Sequence, residues 1–170
     1  MPTGALFLER FDIVEGFPAV DLSTGANTGD WVAAKNAKRI VIAFISGVGT
    51  AGDDPTLTVQ QAVNNAGGSV KALNFTVIYR KQAATSLAST TQWTKTTQTA
   101  ANTYTEATAA EQALIWVVEI DPVVDLDVAN SFDYLRATVA DVGANAQPGY
   151  LLYVVEKVHL TTPASQPSNL

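Results

Sequence analysis

Residues 39–46 read RIVIAFIS and stop at Gly47. The apolar run from Ile40 to Ile45 is rich in β-branched side chains, too short for an ordinary helix and closed by a glycine. It therefore reads as a strand buried on both faces, and it places the centre of the core here. Upstream, Trp31 to Ala34 reads as a short strand and Ala5 to Val14 as the first one. A polar stretch through Asp21, Gly25, Asn27 and Gly29 lies between them. Downstream, Thr56 to Val59 alternates, and Asn64 to Gly68 (NNAGG) signals a turn. Leu73, Phe75, Val77 and Tyr79 then fall on one face of a half-buried strand, opposite Asn74, Thr76, Ile78 and Arg80.

The C-terminal half continues in the same grammar. Gln82 to Thr108 is dominated by Thr, Ala, Ser and Gln and reads as exposed strands or a long excursion. Ala107, Ala110, Ala113, Leu114, Val117 and Val118 have helical spacing, whereas Ile115 to Ile120 reads as a strand. A short helical turn or loop running into a strand reconciles the two. Pro122 ends that strand because it has no N–H to donate to a ladder. Phe132 to Val139 and Tyr150 to Val158 are two further strands, joined through Gly143, Asn145, Pro148 and Gly149. Short strands separated by turn residues predict an all-β fold, an antiparallel β-sandwich of jelly-roll type with little helix. Residues 1–160 form one domain with an N-terminal arm, and residues 161–170 (TTPASQPSNL) a polar tail, mobile or ordered only on a partner.

Composition narrows the function. At 170 residues and 47% hydrophobic the chain has material for one substantial core, yet only 15% of it is charged. A net charge of −6, with the basic residues scattered, argues against direct binding of nucleic acid, which needs clustered Lys and Arg. The absence of cysteine excludes disulfides and thiolate chemistry. No apolar run reaches the length of a membrane span, and Glu9 and Arg10 break the N-terminal apolar stretch too early for a signal peptide. A cytoplasm-like compartment and no membrane partner are expected.

Gly47-Val48-Gly49-Thr50-Ala51-Gly52 matches G-x-G-x-x-G after a buried strand. A dinucleotide site needs a helix opening at the last glycine, but Asp53, Asp54 and Pro55 follow, and Lys71 and Ala72 stand where an acidic residue is expected. The segment is read as a glycine-rich loop, and no cofactor is expected. Glu119 to Asp133 (EIDPVVDLDVANSFD) carries Asp121, Asp125 and Asp127 as calcium candidates, without the central glycine and terminal Glu of an EF-hand. A solvated acidic loop is the simpler reading, and no catalytic carboxylate pair stands out. His159 is the sole histidine and has no G-x-S-x-G elbow to serve. Asn74-Phe75-Thr76 fits a glycosylation sequon but lies inside a predicted strand. Trp31, Trp93 and Tyr104 are the candidate partner contacts, with Trp93 and Tyr104 expected to face outward. No residue is assigned a catalytic role, and the chain is read as a non-enzyme.

Several segments resemble a known family. Val20-Asp21-Leu22, Gly29-Asp30-Trp31-Val32, Ala37-Lys38-Arg39-Ile40-Val41-Ile42, Lys71-Ala72-Leu73-Asn74-Phe75 and Phe132-Asp133-Tyr134-Leu135-Arg136-Ala137-Thr138-Val139 are similar to stretches of small structural proteins encoded beside the major capsid protein in tailed bacteriophages. The resemblance runs in order along most of the chain. It implies a capsid decoration, cement or head auxiliary protein, made in the host bacterial cytoplasm and carried on the virion surface. Its partners would be the major capsid protein and further copies of itself, as a homotrimer or homodimer. A carbohydrate-binding or host-adhesion module, and a tail-tube or head-completion protein, are the alternatives.

Overall fold

The computed structural model describes residues 6–83 and 92–158. His159, the tail at 161–170 and part of the excursion after Gln82 lie outside the described residues. Two antiparallel sheets pack face to face. The first has the order β1 (Phe11–Asp21), β12 (Pro148–Lys157), β4 (Ala37–Ser46), β10 (Ala113–Ile120), β7 (Phe75–Ala83) and β8 (Thr94–Ala101). The second runs β2 (Asn27–Thr28), β11 (Tyr134–Val139), β5 (Thr56–Ala62) and β6 (Lys71–Ala72), with β3 (Val32–Ala33) also on β11 and β9 (Thr103–Thr105) also on β5. The expected all-β sandwich is the fold.

The pairing is nested. β1 pairs with β12, β2 with β11, β4 with β10 and β5 with β9. These are the rungs of one long hairpin whose arms leave and return together. Two further ladders, β12 with β4 and β11 with β5, roll that hairpin into two sheets. The segment holding β6, β7 and β8 is inserted between β5 and β9, and its last two strands widen the first sheet.

Side chains from both inner faces make the core. Ile40, Ile42 and Phe44 of β4, Leu114, Trp116, Val118 and Ile120 of β10, and Leu57, Val59, Leu135, Ala137 and Val139 from the second sheet are all fully buried. Trp116 lies near the centre, its ring 4.8 Å from Tyr104 in an edge-on contact and 5.7 Å from Phe44. Burying that much aromatic and branched surface is the main driving force for closing the sandwich.

Three expectations need correction. The first strand is Phe11–Asp21 rather than Ala5 to Val14, and it is preceded by a helical turn, α1 (Phe7–Arg10). Glu9 closes this turn by accepting the Leu6 N–H at 2.7 Å. Much of the expected N-terminal arm is thus an edge strand of the first sheet. In β7 the faces change partway: Phe75 and Ile78 are buried, while Val77 and Tyr79 are half-buried. The ladder with β8 is irregular at this point: Phe75 lies opposite Ala101 but Val77 opposite Thr97, which leaves two extra residues on β8 and breaks the plain alternation of β7. Tyr104, finally, points inward at 7% exposure. By contrast, Pro122 does end β10. It opens a single turn, α2 (Pro122–Asp125), capped by the Asp121 carboxylate, which accepts the Val123 N–H at 3.0 Å.

Candidate functional site

The motifs singled out for chemistry are occupied in holding the fold. In the glycine loop the Gly49 N–H donates to the Ala110 carbonyl at 2.6 Å, and Asp54 accepts the Ala110 N–H at 2.8 Å. Asp53 accepts from the Asn145 amide at 2.9 Å. The loop closes one end of the sandwich with two carboxylates beside it, the opposite of a phosphate cradle. The calcium candidates do not converge. Asp121 caps α2, Asp125 accepts the Asp121 N–H at 2.8 Å, and Asp127 pairs with Lys71 and with the Asn130 amide at 2.9 Å. Among the described residues no group of three His, Cys, Asp or Glu could hold a metal.

The aromatic candidates part company. Trp31 is buried, with the Arg136 guanidinium 4.5 Å over its ring. Trp93 is 50% exposed, and the Lys81 ammonium lies 5.6 Å from its ring centroid. Because Tyr104 sits under Trp116, the two do not form a joint stacking platform. A separate polar cleft of about 190 Å³, with Trp93 outside its lining, is formed by Arg80, Gln82, Gln92, Thr94, Glu106 and Gln112. Its side chains bind one another: Arg80 pairs with Glu106 at 3.3 Å, and the Gln82 amide donates to Glu106 at 2.6 Å.

The largest unexplained feature is the outward face of the first sheet. Strand alternation sends Ile40, Ile42 and Phe44 into the core and Val41, Ala43 and Ile45 outward, and the outward residues stay half-buried. Ladder partners share a face, so the register extends this row by row. One row runs Glu15, Leu152, Ala43, Val117, Tyr79, Lys95 across six strands. Beside it run Tyr150, Ile45, Ile115 and Lys81 on one side, and Ile13, Val154, Val41 and Glu119 on the other. The centre is apolar and the charges sit at the ends of the rows. Beyond β1 the patch continues into the α1 turn, where Phe7 stacks on Phe11 at 4.8 Å and stays 54% exposed, as does Ile13. Among the described residues, and apart from ladder neighbours, the main contacts of these strands are with α1 and β2 at β1 and with α2 at β4.

Ion pairs edge the face. Arg10 and Lys38 reach Glu156 at 2.8 and 3.5 Å, and Arg39 reaches Glu119 at 3.0 Å. The hydrogen bond from Arg10 holds the Glu156 carboxyl below the usual carboxylate range, and the nearby Lys38 adds to it. Elsewhere backbone N–H groups of Gln147 and Ser23 lower Asp21, and Lys71 lowers Asp127. A carboxyl depressed in the folded chain adds stability above its ordinary value, 4.5 for Glu156 and 3.8 for the two aspartates, and loses it as pH falls through the folded value. The thermal midpoint should therefore hold steady from neutral pH to about 5 and fall below that. In Glu156→Gln the fall should begin at lower pH; an unchanged acid profile in that variant would remove Glu156 from this account.

Compared with known proteins, the chain matches no family model, no curated protein and no solved structure. The outward face is the feature of the molecule that bears on function. Its residues carry a signal in the sequence, since both parities of Ile40 to Ile45 are apolar. That pattern alone does not say whether the second face is covered by the same chain or by another.

Proposed function

We propose that this chain is a virion structural protein of a tailed bacteriophage, a decoration or cement protein attached to the outside of the assembled capsid. The observation that carries the reading is the apolar outward face of the first sheet, which the described residues leave without a covering layer, in a protein whose charged residues are few. A contiguous apolar patch of this kind marks a surface that meets another protein. The resemblance to phage head proteins supplies the class of assembly, with the major capsid protein and further copies of the chain as partners. In this reading no residue performs a reaction. The nested pairing supports a jelly-roll wiring, with β6, β7 and β8 as an insertion, and that architecture recurs in capsid proteins. Many weak contacts suffice on a lattice, because multivalent attachment multiplies them.

Quantitative mass spectrometry of purified particles should find the chain in many copies, in fixed ratio to the shell protein. A ratio of a few copies per particle would move it to a tail-tube or head-completion role, and absence from particles would end the reading.

A second reading rests on Trp93, whose exposed ring offers a flat apolar surface suited to stacking on a sugar. If the chain is a glycan-binding module, Trp93→Ala abolishes binding to host glycans and leaves incorporation into particles intact.

A further inference from the structure

We infer that the outward face of the first sheet docks on the same face of a second copy, about a two-fold axis parallel to the strands and passing between β4 and β10. This rests on the reading of that face as an assembly surface, and it names the first partner. The deciding feature is the central row, Glu15, Leu152, Ala43, Val117, Tyr79, Lys95. A two-fold along the strands lays this row on itself in reverse. Glu15 then faces Lys95 of the second copy at both ends, Leu152 faces Tyr79, and small Ala43 faces Val117. In the next row Ile45 faces Ile115, and Tyr150 faces Lys81. A two-fold running across the strands would instead set Lys95 near Lys95 and Glu15 near Glu15. Charge complementarity thus selects one axis.

Size and chemistry agree with this. Six strands spaced by about 4.8 Å, with three outward positions along each, cover roughly 25 by 20 Å. That is a projected area of about 500 Å², before side-chain relief and the flanking α1 turn are added, against the ~800 Å² per partner of a standard interface. A two-fold contact joins a patch to itself, so it needs one self-complementary face and closes without leaving a free copy of it. Two sheets stacked in this way repeat between subunits the packing that the sandwich uses inside one. Trp93 would lie at the rim, where it helps to exclude water from the apolar centre.

Sedimentation equilibrium on the full chain, free of other virion proteins, should give twice the chain mass at micromolar concentration. Val117→Lys puts a charge at the centre without entering the core, and it should weaken the dimer roughly a hundredfold or more. Lys95→Glu and Glu15→Lys should each weaken it about tenfold, and the double reversal should restore most of the loss. Circular dichroism on each variant separates lost association from lost folding. Should Val117→Lys fail to fold, the charge reversals at the exposed positions carry the test. A double reversal no better than the sum of the single losses would overturn the axis. A monomer at every concentration would overturn the inference; if Val117→Lys then still abolished attachment to particles, the face would dock on the shell and the assembly reading would stand. A dimer absent from particles would do the reverse, keeping the inference and ending the virion reading.

Discussion

Replacing Trp116 with alanine is expected to destabilise the fold by about 4 kcal/mol, the middle of the range for losing a buried aromatic ring. The residue is fully buried on β10, and the rings of Tyr104 and Phe44 pack against it from two directions. All three are anchored in ladders, so the walls have little freedom to collapse into the space. For a chain of this size each kcal/mol lowers the thermal midpoint by roughly 2–4 °C, which predicts a fall of about 8–16 °C. Phenylalanine at the same position should be much milder. The indole Nε1 is buried without a partner among the described residues, a defect that phenylalanine removes while keeping most of the packing. Urea unfolding of the two variants decides the matter: a loss below about 1.5 kcal/mol for Trp116→Ala would mean that the second sheet closes over the gap.

How much of this is legible in the sequence depends on which physical rule governs each segment. RIVIAFIS declares a central strand, and Pro122 declares an end, because both rest on local constraints: a run of branched apolar side chains and a missing N–H. The face assignment of β7 fails for a non-local reason. The irregularity between Phe75 and Val77 comes from two extra residues on the paired strand β8, and nothing in the alternation of the single strand announces it. Tyr104 is misread because it stands among Thr residues that are exposed, whereas its own direction is fixed by pairing opposite Leu57 on β5. The candidate site is half visible. Apolar residues at both parities of β4 and β10 can be read from the sequence, but a face covered by the same chain and a face covered by another use the same residues. Charges distinguish them only after the register has placed Glu15 and Lys95 at opposite ends of one row.

The substitution Gly29→Ala is expected to destabilise the protein by about 3 kcal/mol, for lack of space and not for lack of backbone freedom. Gly29 lies between β2 and β3, where its N–H donates to the Ala137 carbonyl at 3.0 Å. A Cβ there would press on that same backbone oxygen, 2.7 Å from the Tyr153 hydroxyl and 2.9 Å from Leu151 Cδ2. None of these can retreat cheaply. The oxygen belongs to β11, Leu151 is fully buried, and Tyr153 ties the two sheets together: its hydroxyl accepts the Ala137 N–H at 2.8 Å and donates to the Asp30 carbonyl at 3.3 Å. Burial pushes the phenol far above its usual range, which favours the protonated, hydrogen-bond-donating form. Tyr153→Phe should itself cost roughly 1–3 kcal/mol, because it leaves the Ala137 N–H unsatisfied between the sheets. It also removes the atom that crowds the new Cβ. The double variant should therefore lose less than the two single losses added together, a coupling that urea unfolding of all four proteins measures directly. Strict additivity would mean that the added methyl does not strike the hydroxyl, and the cost would then lie with the Ala137 carbonyl and the ladder of β11 alone.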